Sequence, residues 1–79
     1  MNESEKDLKA ELGRIIAAKR KKLELTQEQL ADECGTARNY IGELERGEKQ
    51  PTITTLFALA EALQVTPADI MRDLQKKLS

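Results

Sequence analysis

Histidine and tryptophan are absent from this 79-residue chain, and cysteine, tyrosine and phenylalanine occur once each. A lone Cys34 has no internal partner, so no disulfide can staple the fold. Without histidine the commonest acid–base group and metal ligand is missing, and no glycine-rich phosphate loop or metal-ligand spacing occurs. The 14 acidic residues, with no pocket signal around them, are expected to be solvated and paired. The chain is therefore expected not to be an enzyme and to need neither cofactor nor metal. Strand formers are scarce and no stretch resembles a signal peptide or a membrane span, which points to an all-α, cytoplasmic chain without a membrane partner. Residues 1–79 form one domain, and a domain this short buries only about 60–65% of the surface its unfolded form exposes.

An excess of positive charge is also lacking. Thirteen basic residues against 14 acidic ones leave a net charge of −1, whereas a nucleic-acid binder ordinarily carries a basic surplus. The distribution is less even than the sum. Arg14, Lys19, Arg20, Lys21 and Lys22 precede the centre of the chain, and Arg38, Arg46 and Lys49 lie inside or just after it. Acids lead the chain (Glu3, Glu5, Asp7, Glu11) and close it (Glu61, Asp69, Asp73). A local positive face and a mixed solvated surface both fit this arrangement.

What is present is organised around Leu25–Gly47, which reads as two short helices joined by a tight turn over about residues 26–46. Thr26 with Gln29 three residues later forms a capping box. Leu30 and Ala31 face inward and Cys34 closes that stripe. Gly35 can adopt the left-handed conformation that ends a helix, and Thr36 or Ala37 opens the next. So short a link forces a steep crossing, the geometry of a helix-turn-helix. Ile41 and Leu44 face the core, while Arg38, Asn39 and Glu43 share the opposite face. Those three side chains suit guanine O6/N7, adenine N6/N7 and cytosine N4 respectively. Arg38 can alternatively meet a phosphate, and Glu43 can simply pair with Arg46. Gln27, first in its helix, offers its amide and backbone N–H to a phosphate. Tyr40 offers a hydroxyl or packs in part, and Gly42 either leaves room beside a groove or is a small surface residue.

Before this stretch, Met1–Glu3 are expected to fray and Ser4 to start a helix. Leu8, Leu12, Ile15, Ile16 and Leu23 fall on one arc at about 100° per residue, predicting an amphipathic helix to about Lys22. Lys19 sits inside that arc and must snorkel or mark the edge of the core. Gly13 admits a close neighbour or is a tolerated surface glycine, and Leu23 and Leu25 should be core. After it, Gly47–Pro51 is a loop. Thr52 caps a helix with Ile53, Leu56, Leu59, Ala60 and Leu63 on one stripe and Phe57 beside it. Thr66, Pro67 and Asp69 open a last helix over about residues 67–78. Ile70 and Met71 can finish the core. Leu74 and Leu78 extend further than so small a domain needs, and Met71, Leu74 and Leu78 are the candidate homodimer surface.

The ordered set Leu12-Gly13-Arg14-x-Ile16, Arg20, Leu25-Thr26-Gln27-x-x-Leu30-Ala31, Gly35, Tyr40-Ile41, Leu44-Glu45-Arg46-Gly47, Pro51-Thr52, Leu56, Leu59-Ala60, Ala62-Leu63 and Val65-Thr66 resembles the phage repressor and Cro-like helix-turn-helix (XRE) family over about residues 12–74. The resemblance implies a five-helix DNA-binding domain that binds a double-stranded operator as a homodimer. It implies base reading by Arg38, Asn39 and Glu43 and a phosphate contact from Gln27, with Lys19, Tyr40, Arg46 and Lys49 as further backbone contacts. It gives Arg20 and Glu45 a structural ion pair between the first and third helices. The chain departs from the family pattern at Ala37, where a capping Ser is usual, and at Gln64, where a helix-ending Gly is usual. A stand-alone regulator follows, of the kind that controls a restriction-modification operon, represses a phage or plasmid, or serves as an antitoxin. The competing expectation is an interaction module of the same fold whose main partner is another protein.

Overall fold

Five helices, α1 (Glu3–Lys22), α2 (Gln27–Cys34), α3 (Arg38–Glu45), α4 (Ile53–Ala62) and α5 (Pro67–Leu78), make up the computed structural model, which describes residues 3–79 with side chains from residue 8 onward. The expected fraying of Met1–Glu3 falls largely outside these residues. α1 begins at Glu3, so Ser4 is its second residue and not its cap.

The starts of α2, α4 and α5 and the ends of α1 to α4 fall where local chemistry dictates. The Thr26 hydroxyl accepts from the Gln29 N–H at 3.0 Å while the Gln29 amide oxygen accepts from the Thr26 N–H at 2.8 Å. Thr66 and Asp69 repeat the exchange at 3.1 and 2.9 Å, and Thr52 caps α4 through Thr55 at 3.1 Å. Two free N–H groups are satisfied at each reciprocal box. α1, α2, α3 and α4 all end with a residue in the left-handed conformation: Glu24, Gly35, Gly47 and Gln64, at φ 59, 68, 76 and 62°. In each case the next N–H returns to the carbonyl five residues earlier (Leu25 to Arg20, Thr36 to Ala31, Glu48 to Glu43, Val65 to Ala60) at 2.9–3.1 Å. This is the Schellman arrangement, in which the last carbonyls find partners before the chain turns away.

α1 packs on α3 and α5, α2 on α3 and α4, and α4 on α5. Ile16, Leu30, Ile41, Leu44, Leu59 and Ile70 are fully enclosed where they meet. Gly13 is what brings α1 close to α3: a Cβ there would stand 2.5 Å from the backbone carbonyl oxygens of both Leu44 and Glu45. The periodicity set the phase of each stripe but overstated its width. Leu8, in the described part of α1 nearest its start, is exposed, and Leu23 and Leu25, in the link after α1, are only half-buried. Ile53, the first residue of α4, is 71% exposed. Leu74 is corrected in the other direction. At 8% exposure it belongs to the core cluster and is not available to a second subunit, because α5 lies along α1 and carries it inward one turn after Ile70. Met71 at 40% and Leu78 at 44% stay outside.

Candidate nucleic-acid interface

α3 is held from behind by Ile41 and Leu44, exposed by 0 and 1%, so its opposite face must point outward. Arg38 and Asn39 are exposed in its first turn and Glu43 is half-buried one turn on. Ala37, extended at φ −88° and ψ 149°, supplies no side-chain hydrogen bond to the helix start. The first N–H groups of α3 are thus left without a capping side chain beside Arg38 and Asn39, at the end of the helix whose dipole favours an anion.

A polar network fixes the helix on which these residues stand. The Arg20 guanidinium grips Glu45 through two bonds, Nε to Oε2 at 2.7 Å and Nη2 to Oε1 at 2.9 Å, while Nη1 reaches the Leu25 carbonyl at 2.8 Å. α1, the α1–α2 link and the end of α3 are joined by this single side chain. Burial works to raise the Glu45 carboxyl, but hydrogen bonds from Arg20 and Gln27 and the positive charges of Arg20 and Lys21 outweigh it, leaving the group below its ordinary value and charged.

Gln27 belongs to the same network. Its Nε2 donates to Glu45 Oε1 at 2.9 Å, which orients the amide and leaves its second N–H and its oxygen uncommitted to that bond. No sequence signal marked this contact, because the partners are 18 residues apart and meet only through the crossing of α2 and α3. Gly42 proves to be buried. A Cβ on it would stand 3.0 Å from Arg46 Nη1 and 3.8 Å from Gln27 Oε1. The guanidinium of Arg46 and the amide of Gln27 therefore both lie over the helix backbone at Gly42, and a side chain there would make the exposed Arg46 end shift by a few tenths of an ångström.

The expected pairing of Glu43 with Arg46 is replaced by two others. Glu43 pairs with Lys49 across 3.4 Å, and Arg46 Nε binds Glu48 Oε2 at 2.7 Å, so Glu43 and Arg46 do not form the i, i+3 pair. The cause is the turn at Gly47, which sends the Glu48 and Lys49 N–H groups back to the Glu43 carbonyl and brings both side chains alongside α3. Lys19, expected among the phosphate contacts, is committed to Asp73 of α5 at 2.8 Å. Tyr40 is half-buried and packs on the core. Cys34 is half-buried as well, and desolvation followed by the charge of Glu33 pushes its thiol above the ordinary value, away from reactivity. Among the described residues no group of His, Cys, Asp and Glu is placed to hold a metal ion, and no helix is long and apolar enough to cross a membrane.

Two helices crossing over a three-residue turn, with the second one's polar face outward, find a direct counterpart among known proteins: residues 16–70 match the HTH_3 helix-turn-helix family. This chain is a helix-turn-helix protein of the XRE type. It is 42% identical over 60 residues to the control protein C.SmaI of Serratia marcescens, an alignment covering 76% of this chain and 71% of that one. The restriction-modification controller protein C.AhdI of Aeromonas hydrophila superposes with a TM-score of 0.77 at 33% identity, over 81% of this chain and 96% of the other. The c2 repressor of phage P22, crystallised in complex with a synthetic operator, superposes with a TM-score of 0.71 at 37% identity, over 75 and 89% of the two chains. In the helix-turn-helix unit of this XRE-type chain, α2 is the first helix and α3 the second, and Arg38, Asn39 and Glu43 lie on the second.

Proposed function

We propose that this XRE-type protein is a sequence-specific double-stranded DNA-binding transcriptional regulator that acts as a homodimer on an operator of approximate two-fold symmetry. The observation that carries the reading is the outward face of α3, with Arg38 and Asn39 exposed at an uncapped first turn and the helix locked by Arg20 and Glu45. A major groove admits one α-helix, and the residues at its N-terminal end reach the base edges. Arg38 and Asn39 read bases there. Glu43 accepts from a cytosine N4 amine with the oxygen that Lys49 leaves free. Gln27 donates its second amide N–H, and its backbone N–H at the head of α2, to a phosphate. Arg46 and Lys49 exchange their present carboxylate partners for phosphate oxygens on the duplex, and the Tyr40 hydroxyl adds a weaker contact. The similarity to controller proteins and to a repressor seen with an operator supports this assignment.

Binding of a selected operator across a salt series tests it. Affinity should fall with a log–log slope of about −0.9 per neutralised phosphate. Arg38→Ala should cost about 1–3 kcal/mol and relax preference at one base position, whereas Gln27→Ala should weaken all sequences alike. An equal loss across all sites from Arg38→Ala would reassign that residue to the phosphate backbone, and no specific complex at low salt would sink the reading.

A further inference from the structure

We propose that Glu48 sets how tightly this protein holds a duplex of any sequence, by occupying the edge of Arg46 that a phosphate would take. Arg46 Nε donates to Glu48 Oε2 at 2.7 Å and Nη2 donates to Oε1 at 3.3 Å. A guanidinium presents those two donors as a fork that fits a carboxylate and a phosphate alike. The third nitrogen, Nη1, lies over α3, 3.0 Å from where a Cβ on Gly42 would stand, so the other edge is turned towards the chain. The outward fork is therefore filled by the protein itself.

The backbone holds Glu48 in that place. Gly47, at φ 76°, turns the chain, and the Glu48 N–H donates to the Glu43 carbonyl at 2.9 Å. The same turn rests on α1, where a Cβ on Gly47 would stand 3.0 Å from Ala10 Cα. Neighbouring cations are held less firmly. Lys49 meets Glu43 through one longer contact of 3.4 Å, and Arg38 takes part in no salt bridge among the described residues. The hydrogen bond from Arg46 also keeps the Glu48 carboxyl below its ordinary value, and so charged. Binding to a duplex then exchanges one anion for another on Arg46 and leaves a bare carboxylate close to the phosphate that displaced it. Both side chains are exposed, and an exposed pair is worth a small factor, so Glu48 lowers affinity without abolishing it. Phosphate contacts carry no sequence information, so the reduction falls on every duplex alike and raises the protein concentration at which an operator fills. This role rests on the DNA-binding reading above and adds to it the residue that tempers it.

Dissociation constants of the full-length parent, Glu48→Gln, Arg46→Gln and the double variant, measured on a selected operator and on a scrambled duplex of equal length, test the inference. Both positions are exposed, so all four proteins should share the helical circular dichroism of the parent. Glu48→Gln should tighten both duplexes by the same factor, about two- to fivefold. In the Arg46→Gln background the same change should do nothing, since no fork is left to clear. Glu61→Gln, which removes an equal charge from α4, should likewise change nothing. A gain that persists without Arg46, or one matched by Glu61→Gln, would assign the effect to net charge and overturn the inference. A parent that binds the operator and a Glu48→Gln protein that binds no better would overturn it too, with the regulatory reading intact. Without DNA, an NMR titration should find the Glu48 carboxyl below its ordinary value in the parent and returned to it in Arg46→Gln. An ordinary value in the parent would overturn the pairing itself. If the carboxyl titrates low yet neither the parent nor Glu48→Gln binds any duplex, the regulatory reading is what fails, and this role falls with it.

Discussion

Arg20 and Glu45 are nearly enclosed, and each is the other's main partner. Removing one leaves a desolvated charge behind, so Glu45→Ala should destabilise the protein by about 3 kcal/mol in urea unfolding, while Arg20→Met with Glu45→Leu should recover much of that loss. A cost below about 0.5 kcal/mol would mean that the pair behaves like an exposed salt bridge. Glu45 also fixes the Gln27 amide, so the same variant should weaken DNA binding beyond what its lowered stability accounts for. At Gly13 the constraint is steric. Adding one methyl group against two carbonyl oxygens at 2.5 Å should cost about 1–3 kcal/mol or force α3 outward. A Gly13→Ala protein as stable as the parent would show that α1 and α3 separate freely.

At the scale of the helices, the starts and stops were written in the sequence because they depend on neighbours in the chain. Thr26-x-x-Gln29, Thr66-Pro67-x-Asp69, Gly35 and Gly47 each mark a boundary that the structure observes. The departures at Ala37 and Gln64 were equally visible, and both have structural consequences. Gln64 sits at φ 62°, a conformation that costs a side-chain-bearing residue about 1–2 kcal/mol. Gln64→Gly should therefore raise the urea midpoint, and an unchanged or lower midpoint would show the strain to be relieved elsewhere. Ala37→Asp should cap α3 and add about 1 kcal/mol, yet place a carboxylate where a phosphate is expected, so stability and operator affinity should move in opposite directions. What the sequence concealed depends on tertiary crossing. Helical spacing gives the direction of a side chain but not how much of the arc a neighbour covers, which is why Ile53 and Leu74 exchanged places. The Gln27–Glu45 bond and the new partners of Glu43 and Arg46 arise from helix crossing and from the path of the Gly47 turn, neither of which a linear reading contains.

For the molecule as a whole, the acid limb of stability follows from its carboxylates. Glu45 is held below its ordinary value of 4.5, and Asp69 and Asp73 are likewise lowered, the first by the Thr66 backbone N–H and Arg72, the second by Lys19. A depressed carboxyl stabilises the fold above its unfolded value and ceases to do so as pH falls through its folded one. The thermal midpoint should stay nearly level between about pH 7 and 5 and drop below about pH 4.5, with Glu45→Gln starting lower and losing less. An equally steep acid decline in Glu45→Gln would move the origin of the effect to other carboxylates. Near-neutral net charge gives the molecule little long-range attraction to DNA, so under the proposed function the occupancy of an operator would rest on contacts from α3 and on pairing of subunits. Selection of bound sequences from a random duplex pool, with the parent and Arg38→Ala in parallel, tests that directly. The parent should enrich a site with two-fold symmetry whose half-sites lie about 34 Å apart, and Arg38→Ala should lose preference at one position in each half-site. Enrichment of no sequence by the parent, or the same site with the same preference from both proteins, would contradict the assignment of α3 as the reading surface.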